Sequence, residues 1–327
     1  MRPRRSNVVR GVVAAVFVGG AIRGARAQTS SPSEGALEFI LPTGARVLGM
    51  GQAAVTTATG SEALWWNPAL VARGPREVAL GFVSNVQLPA SDVTLAAVYP
   101  VPKVATFALS LRYVSNGEQD ASDSTGTKIG ALVPRTTTAA ASFAAPFGDR
   151  LAVGVSFKLL AVSYDCTGQC NTTSATPLTG AIDFGGQYIF TKDSLVSLGL
   201  AVRNLGLPLQ VNDAPQSDEL PSRVDLGVSV SPRFANAPDA RLVIAGDFVS
   251  RLSARGGSGF RFGSELSWLN QYFGRAGYVV NGPNGSGPTF GLGIAHGKWR
   301  VDFAQFLSDF GGENGSKPTY LSLRYVF

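Results

Sequence analysis

The feature that most constrains this chain is an alternation of apolar and polar residues with period two, running from Arg76 to the C-terminus. In Arg150–Tyr164, Leu151, Val153, Val155, Phe157 and Leu159 face one way, while Ala152, Gly154, Ser156 and Lys158 face the other. Ser222–Ser231, Gly259–Trp268 and Lys298–Leu307 repeat the pattern, placing Arg223, Asp225, Arg261, Glu265, Arg300 and Asp302 on the second face. Successive side chains of a strand point to opposite faces, so each segment is a strand with one apolar and one polar side. No run of 18 apolar residues follows the N-terminal leader, which excludes membrane-spanning helices there. The spacing predicts fourteen strands, the first at 76–85 and the last at 318–327.

A soluble β-sandwich would alternate in the same way, so the connections decide. Those at one end are short: Pro100–Pro102, Phe147–Asp149, Thr191–Asp193, Asn270 and Gly297, with Pro232–Asp239 longer. At the other end stand Asn116–Pro134, Asp165–Leu178, Leu205–Leu220, Asn281–Ser286 and Ser308–Lys317, rich in Gly, Asn, Asp and Ser. Short periplasmic turns opposite long extracellular loops are the topology of outer-membrane barrels. The expected fold is therefore all-β, an antiparallel transmembrane β-barrel of about 14 strands over residues 76–327. Its lumen face carries Arg112, Lys158, Asp183, Arg203, Asp247, Arg275 and Arg324 besides the charges named above. Charges held away from lipid need partners, so an ion-pair network joining strands is expected.

Residues 1–27 read as a secretory signal peptide: an Arg-rich start, the apolar run Gly11–Ile22, and Ala25-Arg26-Ala27 as an A-x-A cleavage site. This places the mature protein in the outer membrane of a diderm bacterium, with the lipid bilayer as its first partner. The leader holds six of the 28 basic residues, so the remainder carries 22 against 22 acidic ones. No basic surplus is left to attract nucleic acid. One histidine, His296, and two cysteines cannot build a zinc-type cluster and leave little for a catalytic triad, so no enzyme is expected. Cys166 and Cys170, in a predicted extracellular loop, fit a local disulfide of an oxidising compartment.

Gly35–Leu70 does not alternate. Within it, Gly49-x-Gly51-x-x-Ala54 imitates a dinucleotide fingerprint, but no βαβ unit surrounds it, so no cofactor is expected. The string Gly44-Ala45-Arg46-x-x-Gly49-Met50-Gly51-x-Ala53, followed by Asn67-Pro68-Ala69-Leu70, resembles the opening of the PorV/PorQ family, which belongs with the FadL-like long-chain fatty-acid transporters. The sequence departs from that family at Ala58–Glu62, where an acidic pair is usual. The resemblance implies that residues 28–75 form a plug, folded into the lumen as a hatch. It implies passive uptake of a hydrophobic small molecule or, alternatively, a type IX secretion accessory that docks secreted proteins. Glycines at 44, 49 and 51 suit close backbone approach and left-handed turns. Asn67-Pro68 is expected to end the plug, and Trp65-Trp66 either to anchor it at the membrane interface, the commoner use of such residues, or to line a ligand path. The closing segment Tyr320–Phe327, with Tyr325 and Phe327, resembles the signature read by the barrel-assembly machinery.

Overall fold

Fifteen strands form one antiparallel sheet among the described residues: β1 (Glu77–Ser84), β2 (Ser91–Val101), β3 (Ala105–Ser115), β4 (Gln119–Ser122), β5 (Lys128–Phe147), β6 (Leu151–Gly168), β7 (Leu178–Ile189), β8 (Val196–Gly206), β9 (Arg223–Val230), β10 (Ala240–Arg251), β11 (Ser258–Trp268), β12 (Tyr272–Gly282), β13 (Gly285–His296), β14 (Trp299–Phe306) and β15 (Thr319–Val326). The computed structural model describes residues 34–84, 91–169, 177–190, 196–210, 217–234, 236–252, 257–282, 285–308 and 317–327. The leader lies outside them. Strand β3 pairs with β5, and β1 pairs with β15 from Glu77↔Val326 to Ser84↔Thr319. The sheet thereby closes into a fourteen-stranded barrel with β4 as an extra strand. Closure leaves no wall strand with an unpaired edge in lipid.

The alternation sets the two faces. Leu95, Leu109, Phe157 and Leu159 are each more than half exposed on the outside, while Ser156, Lys158, Asp183 and Asp225 are buried on the inside. About 8 strands enclose a space that wall side chains can fill, and more strands leave an open lumen. Here the chain's own N-terminal segment fills it.

Two expected loops differ in the structure. Asn116–Pro134 contains β4 and the outer part of β5, and the β5–β6 ladder continues to Gly130↔Gly168. The turn between β4 and β5 is tight because Asp123 Oδ1 accepts from the Thr125 and Thr127 amides. Within Asn281–Ser286 the β12–β13 pairing runs on to Gly282↔Gly285. Polar composition signalled exposure at both places, and exposed backbone can still pair.

Candidate functional site

The plug begins with a 3-10 turn at Leu37–Ile40, then α1 (Ala45–Gly49) and α2 (Ala63–Trp66), and ends in a 3-10 helix at Pro68–Arg73. Asn67 caps that last helix by accepting from the Ala69 amide, with Pro68 at its first position, where a missing N–H costs nothing. The Asn67 amide also donates to the Val55 carbonyl (2.7 Å) and to Gly186 of β7 (3.1 Å). One side chain thus ends the plug, ties its middle and holds the wall.

The motif glycines do different jobs. Gly44 has φ +94°, and a Cβ there would collide with the Glu62 carboxyl. Gly51 has φ +61°, and its amide donates to Thr289 Oγ1 of β13 (3.0 Å). Gly49 is helical, and its role is packing: its Cβ position lies 3.0 Å from the Gly291 Cα of β13. The wall answers with glycines of its own. A Cβ at Gly263 of β11 would strike the Met50 carbonyl, and one at Gly277 of β12 the Gly51 amide. One at Gly154 of β6 would sit 2.5 Å from Pro68. From β6 to β13, plug backbone lies directly on wall backbone.

Buried charges complete the seat. Arg46 grips Glu265 of β11 with two hydrogen bonds of 2.9 Å and donates to the Thr57 carbonyl. Asp247 of β10 accepts from the Ala54 (2.6 Å) and Val55 (2.9 Å) amides. Lys158 pairs with Asp183 (2.5 Å), Arg203 with Asp225 (2.5 Å), Arg223 with Glu34 (2.8 Å), and Arg275 with both Glu265 (2.6 Å) and Asp302 (2.8 Å). Arg112 pairs with Asp92 and donates to the Glu38 and Leu41 carbonyls of the plug. The expected network is present, and much of it runs between wall and plug.

Trp65 and Trp66 are 4% and 3% exposed, inside the barrel rather than at the membrane interface. Trp65 lies between Arg112 and Lys158, Trp66 lies under Arg203 and Arg261, and the Trp66 indole donates to the Thr43 carbonyl (2.9 Å). Indole rings that meet buried cations in the lumen, one of them with a carbonyl acceptor as well, have no need of the interface.

Against β1, β2 and β15 the plug is held by side chains instead. Ser61 donates through its amide (2.7 Å) and hydroxyl (2.8 Å) to Glu77 of β1, Arg324 of β15 reaches Thr59 (3.3 Å), and the Ala45 amide donates to Ser322 (3.0 Å). A cavity of about 40 Å³ remains here, lined by Thr43, Glu62 and Trp65 of the plug and by Gly81, Asp92 and Tyr320 of the wall. Its lining also includes Leu80, Phe82 and Leu321, so it reaches the plane of the wall. Glu62 is 5% exposed, and neither carboxylate oxygen has a hydrogen-bond partner among the described residues. Burial pushes its carboxyl above the usual range, an effect only partly opposed by Arg324. The period-two pattern shows neither Glu62 nor the glycine seat. Its only trace is the run of residues without a lipid face.

At the closing seam, Tyr325 packs on Trp299 (4.8 Å between ring centres) and on Phe327 (5.1 Å), and Arg76 lies over the Phe327 ring (4.9 Å). The Phe327 amide bonds to the Arg76 carbonyl (2.9 Å), so the last residue is tied to the start of the wall. His296 is exposed beside the Gly297 turn. Cys166 lies in the outer part of β6 opposite Leu132, and Cys170 falls outside the described residues.

The fold is shared with solved channels. The Pseudomonas putida toluene transporter TodX aligns with a TM-score of 0.59 at 14% identity, covering 91% of this chain and 98% of that one. The Ralstonia pickettii toluene transporter TbuX aligns with a TM-score of 0.61 at 14% identity, covering 88% and 99%. A Pseudomonas aeruginosa FadL homologue aligns with a TM-score of 0.50 at 12% identity, covering 88% and 99%. No curated protein matches the chain in sequence. The family described as type IX secretion system protein PorV matches residues 27–250. With its plugged outer-membrane barrel and that match over most of its length, the chain belongs to the PorV family.

Proposed function

We propose that the protein is a passive outer-membrane channel for small hydrophobic molecules, with its short turns in the periplasm. The observation that carries this reading is the cavity beside Glu62 and Trp65, which lies inside the wall yet includes the outward Phe82 and Leu321 in its lining. Apolar solutes pass along such a margin, whereas ions meet a lumen filled by the plug. The toluene transporters of the same fold support the solute class. Cells producing the protein should take up labelled toluene faster than cells carrying an empty vector. Equal uptake at equal levels of assembled barrel would overturn the channel reading.

The family match favours a second role, docking of secreted proteins during type IX secretion. Co-purification of exported proteins with the barrel tests it. Both roles place Tyr325 and Phe327 in the signal for the assembly machinery, require cleavage of residues 1–27, and involve no catalysis. We read Cys166 and Cys170 as a disulfide of an extracellular loop. An impermeant maleimide should label whole cells only after reduction.

A further inference from the structure

Glu62 is out of keeping with the rest of the lumen. The buried carboxylates around it are satisfied: Glu77 by Ser61, Asp92 by Arg112, Glu265 by Arg46 and Arg275, and Asp302 by Arg275, Arg300 and Arg324. Glu62 alone of these five has neither a donor nor an ion pair among the described residues. Beside it, the Trp65 indole N–H and Arg324 Nε also lack acceptors. A buried polar group without a partner is costly, and native structures rarely carry one without a use. All three residues line the cavity at the wall.

We propose that this cavity is a binding site for the hydroxyl group of a small neutral hydrophobic molecule, with Glu62 as the acceptor. The inference deepens the channel reading above by naming its substrate class, and it rests on that reading.

Three features select this chemistry. Glu62 offers carboxyl oxygens with no internal donor, so a ligand O–H gains a hydrogen bond that a pure hydrocarbon cannot make. A cation is disfavoured because Arg46, Arg275, Arg300 and Arg324 already balance Glu62, Glu77, Glu265 and Asp302 one for one. Besides polar Thr43, Ser61, Asp92, Thr94 and Ser322, the lining holds an apolar or small set, Trp65, Ala79, Gly81, Val83 and Ala96, that suits a hydrophobic body. The space of about 40 Å³ admits the hydroxyl end, and the apolar body then extends past Gly81 toward Phe82 and Leu321. The unused Trp65 indole N–H and Arg324 Nε can donate to the oxygen of the same hydroxyl, which both gives and accepts a hydrogen bond.

Phenol and benzene differ by one hydroxyl and make the matched pair of probes. Binding to the purified full-length barrel is read by calorimetry and by quenching of tryptophan fluorescence. Phenol should bind the native protein at least tenfold more tightly than benzene. Glu62→Gln, which keeps an acceptor, should retain most of that preference, and Glu62→Leu should abolish it while leaving benzene binding unchanged or stronger. Each variant is first checked for the compact, heat-modifiable form. Should Glu62→Leu not assemble, Glu62→Gln and Glu62→Ala supply the comparison. Equal binding of phenol and benzene by the native protein would overturn the proposal, as would a phenol preference that survives Glu62→Leu or Glu62→Ala. Absence of binding by either probe overturns it too, leaving Glu62 to ordered water. Failure of the channel reading looks different: phenol binds through Glu62, yet cells take up neither phenol nor toluene above the empty-vector rate.

Discussion

The plug touches the wall in two contrasting ways. Along β6–β13 backbone meets backbone, at Gly154, Gly263, Gly277 and Gly291, and only a missing Cβ allows the approach. Along β1, β2 and β15 the contact runs through Ser61, Glu77, Ser322 and Arg324, and a cavity survives between them. Backbone contact leaves no slack, whereas side-chain contact at the longer separation leaves room. The difference divides the lumen into a side that fixes the plug and a side able to admit a small molecule.

The sharpest way to break this contrast is to add a side chain on each side. Gly277→Val drives its new Cβ onto the Gly51 amide, so the plug or the wall must shift. The variant should lose the compact, unheated gel form or, if it assembles, conduct ions across a planar bilayer where the native protein is silent. Gly81→Ala meets Thr94 at ordinary contact distance, Cβ at 3.6 Å and carbonyl oxygen at 3.8 Å, and should assemble as the native protein does. Similar behaviour of the two variants would erase the distinction.

The next effect comes from the charges of the fixed side. Arg46→Leu leaves Glu265 with Arg275 and frees the Thr57 carbonyl. Breaking a buried pair from one side costs about 3–5 kcal/mol, so the urea midpoint of the heat-modifiable band should fall well below that of the native barrel. Ser61→Ala on the cavity side removes one hydroxyl donor and leaves the amide bond to Glu77. Its cost should be about 1 kcal/mol in the same titration. More local in reach is Asn67→Ala, which removes the cap and the bonds to Val55 and Gly186, at about 1–2 kcal/mol. It should loosen the plug's exit, seen as faster proteolysis after Arg73, without changing phenol binding at Glu62.

The wall was legible in the sequence because lipid enforces one rule on every strand. Leu151, Val153, Phe157 and Leu159 had to face outward together, and they do. The plug was legible by contrast, since Gly35–Leu70 lacks that rule, and Gly44 and Gly51 do hold left-handed backbone. What period two cannot reveal is the identity of the neighbour across the lumen. Gly263 and Gly277 look like any small inward residues until Met50 and Gly51, over two hundred positions earlier, are laid against them. The same blindness favours the membrane interface over a ligand path for Trp65 and Trp66, because aromatic residues beside a barrel rim ordinarily stand there. Their cation partners, Arg112, Lys158, Arg203 and Arg261, lie on four strands that the sequence does not place side by side.

The glycine seat also bears on the order in which the molecule is put together. A segment lying on the backbones of β6, β11, β12 and β13 at once has little clearance on that side along which to slide into a finished cylinder. The seat favours strands that wrap the segment as they pair, with β15 shutting the seam against β1 where Ser322 and Arg324 meet Ala45 and Thr59. In that order the plug serves as a mandrel around which the wall is wound, and the last strand, ending at Phe327, completes its ladder after the first part of the chain is in place.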